Sequence, residues 1–229
     1  LARNWWAMNP MRRPAGRLLI VAATQAEYEA VRTGLAESTS GRNPAVDIYV
    51  VGVGPVAAAA GTARLIARAE TAGRPYRAVL SAGIAGGFPG RAAVGSTVLG
   101  VRAISPDLGA QSPDGFLSLD ELGLGTTILP ADNALLTVLA ARLPNAIRGD
   151  VLTVSMATGT ARTAEVLARR HPAAVAEAME GFGVAWACAM TEVPFVELRT
   201  IANPVGPRDT SAWQLDNALR ALTVATAVL

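Results

Sequence analysis

Along the chain, short apolar runs alternate with longer segments of helical spacing from residue 17 to the end. Residues 17–23 are apolar almost throughout, the pattern of a strand covered on both faces, and a helix is expected over 25–36. "VDIYVVGVGPVAAAAGTARLIARA" reads as strand, glycine turn and a long helix ending near Gly73. "YRAVLSAGIAGGF" is the next strand, ending in Gly83, Gly86 and Gly87, where a flat ring could approach the backbone closely. "VGSTVLGVRAIS" follows, with Gly95 and Gly100 marking turns or bulges, and Asp132 caps a helix to about residue 142. "GDVLTVSMA" is a strand, and Thr158, Gly159 and Thr160 form a polar turn before another helix. A helix over 180–190 fits the spacing of Phe182, Val184, Ala185, Cys188 and Ala189, "VPFVELRTIA" reads as a strand, and a last helix spans 212–229. Strands alternating with helices through short turns predict one three-layer α/β/α domain over 17–229.

Two stretches depart from the alternation. Residues 1–16 lack periodicity and are expected to form a tail outside the domain; Met11 is a candidate natural start, with the residues before it a cloning remnant or an upstream extension. Residues 106–127 are polar and rich in Gly and Asp, too long for a plain connector, and are expected to be a lid or an interface loop. Arg12 and Arg13 before "LLIVAA" imitate a signal peptide, but the apolar run is too short, and no later run is long enough to cross a bilayer. A soluble cytoplasmic protein without a membrane partner is expected.

Composition narrows the chemistry. All 20 basic residues are Arg against 18 acids, a net charge of +2, and they are scattered with acids between them. No basic stripe forms, which argues against a nucleic-acid partner. The lone Cys188 sits among small apolar residues and reads as a core thiol. The lone His171, beside Pro172, reads as a solvated loop histidine; one histidine supplies neither a His-rich metal site nor a Ser-His-Asp triad.

Chemistry in open α/β sheets gathers at the carboxyl ends of strands. Glu180, at a strand-to-helix junction, and Asn203, at the end of the following strand, can therefore face one crevice. Glu27 falls in the first turn of the first helix, where the helix dipole also favours an acid for structural reasons. Arg199 shares a strand face with Glu197, so a structural ion pair competes with a role in positioning Glu27. Gly52-x-Gly54-x-x-Ala57 imitates a dinucleotide fingerprint, yet the acid about 20 residues on, Glu70, lies on the helix, so the ribose-binding half of that signature is absent. Trp213 reads as a core anchor.

Met179 and Glu180, then Val193, Pro194 and Phe195, then Arg199 and a polar residue four further on resemble the nucleoside phosphorylase and nucleosidase superfamily. Within it, "NPVGPRD" is similar to the futalosine hydrolase family, relatives of the methylthioadenosine/S-adenosylhomocysteine nucleosidases that serve an alternative menaquinone pathway. The resemblance covers residues 18–229. It implies a central mixed sheet of the nucleoside phosphorylase type, a small-molecule nucleoside substrate, no cofactor, no metal, and a homodimer or larger homo-oligomer in which a neighbouring subunit often completes the site.

The resemblance also implies roles. Glu27 falls on the acid that activates the attacking water, Glu180 grips the ribose hydroxyls, and Met179 packs on the sugar. Gly83, Ile84 and Thr158 border base and sugar; Ile84 stands where the nucleosidases usually carry Ser. Relatives often stack an aromatic ring on the base near Thr158, and this chain offers none until Phe182. Adenine-directed nucleosidases carry Asp where Asn203 stands. An amide accepts from a protonated N7 through its oxygen and donates to a 6-oxo group, which suits hypoxanthine and futalosine, an inosine derivative with a carboxyphenyl ketone at the 5′ end. Arg208 is the candidate partner of that carboxylate, against a surface pair with Asp209. The expected reaction releases hypoxanthine and dehypoxanthine futalosine. The alternatives are a phosphorylase or hydrolase of inosine or methylthioadenosine, and a nucleoside-binding protein without chemistry.

Overall fold

A computed structural model describes residues 16–38 and 45–229. The tail expected over 1–16 lies, apart from Gly16, outside the described residues. Strand β1 (Arg17–Ala22) leads to α1 (Gln25–Glu37), β2 (Val46–Val50) to α2 (Pro55–Thr71), and β3 (Tyr76–Gly87) to β4 (Thr97–Ile104). Short strands β5 (Gly109–Ser112), β6 (Gly115–Ser118) and β7 (Ile128–Pro130) precede α3 (Asn133–Arg142). Then come β8 (Ile147–Thr153), α4 (Ala161–Arg170), β9 (Ala174–Ala178), α5 (Gly181–Met190), β10 (Phe195–Pro204) and α6 (Leu215–Thr226).

The main sheet is mixed, in the order β10-β4-β8-β9-β3-β1-β2, with β7 on the edge of β4. β10 also pairs with β3, so β3, β10, β4, β8 and β9 close into a ring. The length of β3 makes this possible. Its first half pairs with β1 up to Ser81, and its last residues, Gly86 and Gly87, pair with β9 instead. β1 thus leaves the sheet where β3 continues.

Burial follows the apolar runs. Leu19, Ile20, Val21 and Ala22 are sealed between two layers, as a strand covered on both faces requires. On one side Ile20 and Leu80 pack beneath α1, α3 and α6 through Val31, Leu136 and Leu222. On the other, Leu19 and Val79 pack beneath α2 and α5 through Ala58, Ile66, Val184 and the buried Cys188. Helices cover both faces of the sheet, the layered α/β arrangement expected from the alternation.

Some details differ from the sequence reading. The polar stretch 106–127 contains the β5–β6 hairpin, anchored where the Arg170 guanidinium stacks on Phe116, 4.4 Å from the ring centre. His171 is half-buried at the end of α4, accepts from Arg170 Nε at 3.3 Å, and burial pushes its pKa below the usual histidine range. Trp213 is half-buried at the end of a 3₁₀ turn that Asp209 caps, and α6 begins only at Leu215, because the capped turn uses the residues before it. Among the described residues, no helix is long and apolar enough to cross a membrane.

Candidate active site

The site is built where β1 ends. Thr24 and Glu27 form a capping box at the start of α1. Glu27 Oε2 accepts from Ala23 N at 3.1 Å and from Thr24 N and Thr24 Oγ1 at 2.9 Å, which saturates it. Oε1 accepts one bond, from Ile84 N at 2.9 Å. Ile84 lies beyond the last β1 pairing on β3, so the carboxylate takes an N–H that the departing strand leaves free. A carboxylate oxygen has about two lone-pair sites, and one on Oε1 stays open. The structural capping role and a chemical one are therefore compatible on the same side chain.

Glu180 is the N-cap residue of α5 yet makes no capping bond with its side chain. Its carboxylate reaches back over the sheet instead: Oε1 accepts from Gly54 N at 3.2 Å and Oε2 from Arg199 Nη1 at 3.2 Å. Gly54 caps α2 with φ 92°, a conformation that favours glycine, and the glycine turn once compared with a dinucleotide fingerprint here serves Glu180. Arg199 is 1% exposed, with Nε on Glu197 Oε1 at 2.9 Å and Nη2 on Ser81 Oγ at 3.2 Å. Burial works against its charge, and the carboxylates of Glu197, Glu180 and Glu27 outweigh that, raising its pKa. Burial likewise pushes the Glu197 carboxyl up, against the pull of Arg199. The structural Arg199–Glu197 pair thus exists, and its direct bond into the site is to Glu180 rather than Glu27. Glu27 and Glu180 against one guanidinium leave the cluster net acidic even with the buried Glu197 protonated.

Asn203 stands half-buried near the end of β10, past a bulge that follows Ile201, and donates through Nδ2 to Pro204 O at 3.0 Å. Its oxygen and second amide hydrogen have no partner among the described residues. Thr158, half-buried in the turn before α4, donates its backbone N to Glu177 Oε1 at 2.8 Å and its hydroxyl to Glu177 Oε2 at 2.5 Å. Arg208 N donates to Gly159 O at 3.1 Å, which brings the loop after β10 beside that turn. The Arg208 guanidinium is exposed and lies 5.5 Å from the Trp213 ring centre, while Asp209 accepts from Ser211 N at 3.0 Å, so the surface pair expected as the alternative does not form. Met179 is half-buried beside Glu180, and Gly83 lies under Glu27.

Phe182 does not join the group. Its ring packs in the core with Leu19, Ala58 and Val184, and its backbone N donates to Thr153 Oγ1 at 2.8 Å. The reason is that α5 is apolar nearly all round, and its first turn is buried beneath α2. Glu177 was not among the expected residues, although it is the one acid in the fully buried run of β9. A charged side chain inside an apolar strand was the available signal.

The chain and its fold have known counterparts. The chain belongs to the phosphorylase superfamily, whose family model matches residues 17–229. Over 223 residues it is 48% identical to the futalosine hydrolase of Streptomyces coelicolor, covering 93% of this chain and 94% of that protein. It is 44% identical to the futalosine hydrolase of Acidothermus cellulolyticus, covering 92% and 89%. Among solved structures it resembles the futalosine hydrolase of Helicobacter pylori, with a TM-score of 0.75, 17% identity, and 93% and 94% of the two chains covered. The 5′-methylthioadenosine/S-adenosylhomocysteine nucleosidase of Neisseria meningitidis, solved with methylthio-immucillin-A, matches with a TM-score of 0.74 at 20% identity over 93% and 98% of the chains. These two structures share the fold.

Proposed function

We propose that this chain hydrolyses the N-glycosidic bond of futalosine, releasing hypoxanthine and dehypoxanthine futalosine as a step in menaquinone biosynthesis. The observation that carries the reading is the pair of carboxylates, Glu27 and Glu180, around the one guanidinium of Arg199, a net acidic cluster. Breaking the bond between C1′ and N9 develops positive charge on the sugar, and a negative cluster stabilises it. The same cluster repels phosphate, which favours water as the nucleophile over a phosphorylase reaction.

In this reading, Glu27 holds a water at the open site of Oε1. As the water oxygen bonds to C1′, Glu27 takes its proton, while the C1′–N9 electron pair moves into the base. Such a general base contributes roughly 10² to 10⁴ in rate. Glu180 accepts from ribose hydroxyls, held in place by Gly54 N and Arg199. The departing base takes up a proton from solvent at N7; the Asn203 oxygen accepts from N7–H and its free amide hydrogen donates to O6. Arg208, exposed on the loop whose backbone bonds to Gly159, is the proposed partner of the 5′-aromatic carboxylate.

Chromatographic detection of free base from futalosine, inosine and methylthioadenosine, each with and without phosphate, tests the reading. Hypoxanthine from futalosine without phosphate is expected, and preferential release of adenine from methylthioadenosine would overturn it. We further propose cytoplasmic residence and a homo-oligomer. Support for the latter is the exposure of Val56, Trp186 and Met190 on the adjoining helices α2 and α5. Sedimentation of the intact chain as a monomer would contradict it.

A further inference from the structure

Glu197 is fully buried and carries no part of the chemistry above. Its carboxyl makes one hydrogen bond among the described residues, accepting from Arg199 Nε at 2.9 Å, and Oε2 has no partner. A buried polar group left half-satisfied costs stability and calls for a reason. The fold nevertheless makes room for it. A Cβ on Gly181, the residue after Glu180, would overlap both carboxylate oxygens of Glu197. A Cβ on Gly100, which lies opposite Glu197 on β4, would stand 3.1 Å from Glu197 Cβ and 3.4 Å from Oε2. Two glycines thus wall a slot that fits this one acid.

The reason lies with Arg199. The two residues are two apart on β10 and so share a face. A guanidinium is a planar fork, and holding Nε fixes where both Nη groups point. With Nε on Glu197, Nη2 meets Ser81 Oγ at 3.2 Å, and Nη1 meets Glu180 Oε2 at 3.2 Å and Ile84 O at 3.5 Å. Glu180 depends on this contact, because its side chain makes no capping bond and is otherwise held by Gly54 N alone. We propose that Glu197 is a positioning residue for the reaction: it sets the rotation of Arg199 so that a single N–H meets Glu180, which leaves the remaining lone pairs of that carboxylate to the ribose hydroxyls. This deepens the proposed function and rests on it. A carboxylate has about four lone-pair sites. Gly54 N and Arg199 Nη1 use one on each oxygen of Glu180, so each oxygen keeps one for the sugar. Without an acceptor on Nε, the buried guanidinium turns both Nη groups onto Glu180, the bidentate pairing that arginine favours, and the sites for the sugar close.

The test compares kcat/KM for futalosine and its 2′,3′-dideoxy analogue, which lacks the hydroxyls assigned to Glu180, in wild type, Glu197→Leu and Glu197→Gln. The ratio between the two substrates is the readout, because a variant that merely loosens the fold slows both alike and the intrinsic lability of the dideoxy bond cancels between proteins. Glu197→Leu is expected to lower the futalosine preference at least about 10-fold, a modest share of the roughly 10⁴ by which a site built on a substrate hydroxyl discriminates. Glu197→Gln keeps an acceptor for Nε and is expected to retain most of the preference. An unchanged ratio in Glu197→Leu would overturn the inference, as would a fall in Glu197→Gln as large as in Glu197→Leu, since the acceptor would then not be what matters. If Glu197→Leu does not fold, Glu197→Asp decides: its carboxylate stops one methylene short of Nε, the ratio is expected to fall in the same direction, and an unmoved ratio would overturn the inference. Absence of futalosine turnover in the wild type would sink the proposed function and this inference together; turnover with an unmoved ratio would sink this one alone.

Discussion

Gly83 lies so close beneath Glu27 that a Cβ on it would stand 2.4 Å from Glu27 Oε1 and 2.7 Å from Arg199 Nη1. The carboxylate oxygen with the open lone pair thus sits directly on the backbone of β3. Gly83→Ala is expected to displace Glu27 or Arg199. Overpacking of this kind costs roughly 1–3 kcal/mol of stability, and misplacing a reacting group by about 1 Å can cost about 10² in rate. Comparing the melting temperature and kcat checks both. A variant with wild-type kcat would show that Glu27 has room to move without consequence.

Glu27→Gln is expected to lower turnover by roughly 10² to 10⁴ while nucleoside binding is largely kept. Oε2 collects three donors, so the Gln oxygen takes that place and the new amide faces Ile84 N. Two donors then oppose each other, at a cost of about 1–3 kcal/mol for the unsatisfied group. Calorimetry with substrate, set against single-turnover rates, separates the two effects; near-normal hydrolysis would remove Glu27 from its assigned role.

Asn203→Asp is expected to lower activity on futalosine and raise it relatively on the 6-amino analogue. The aspartate loses the amide donor to O6 and gains an acid able to protonate N7. The ratio of kcat/KM for the two substrates is the readout, and an unchanged ratio would mean that Asn203 does not contact the base.

Glu197 gives a prediction about pH. Burial holds its folded pKa above the unfolded carboxylate value, so the folded state binds that proton more tightly. Its contribution to stability is fully present below the unfolded value of about 4.3 and is lost as pH rises through the folded value. Glu197→Gln removes this loss and keeps an acceptor for Arg199 Nε. Relative to the variant, the wild type should therefore lose stability as pH rises from the unfolded value of about 4.3 into the neutral range. Urea denaturation across that range checks it, and a difference independent of pH would contradict the assignment.

The strands that carry the site were legible because their runs are apolar on both faces, and Glu27 and Glu180 stand where such runs give way to helices. The closure of the sheet was not, because the pairing of β10 with β3 and β4 joins residues far apart in sequence and leaves no local mark. The β5–β6 hairpin is largely exposed and lacks alternation, so it read as loop. Phe182 was placed at the base as the first aromatic ring after Thr158, and because α5 is apolar on every face its spacing gave no sign that the ring packs in the core. Glu177 was passed over because an acid in a five-residue apolar run looks like noise until Thr158 is seen on its carboxylate.

The most direct test of the account is futalosine turnover by the intact chain in phosphate-free buffer made with ¹⁸O-labelled water. The account predicts stoichiometric hypoxanthine and one ¹⁸O atom on C1′ of the sugar product. Hypoxanthine released only when phosphate is added, with a sugar phosphate as the second product, or no release at all, would contradict it.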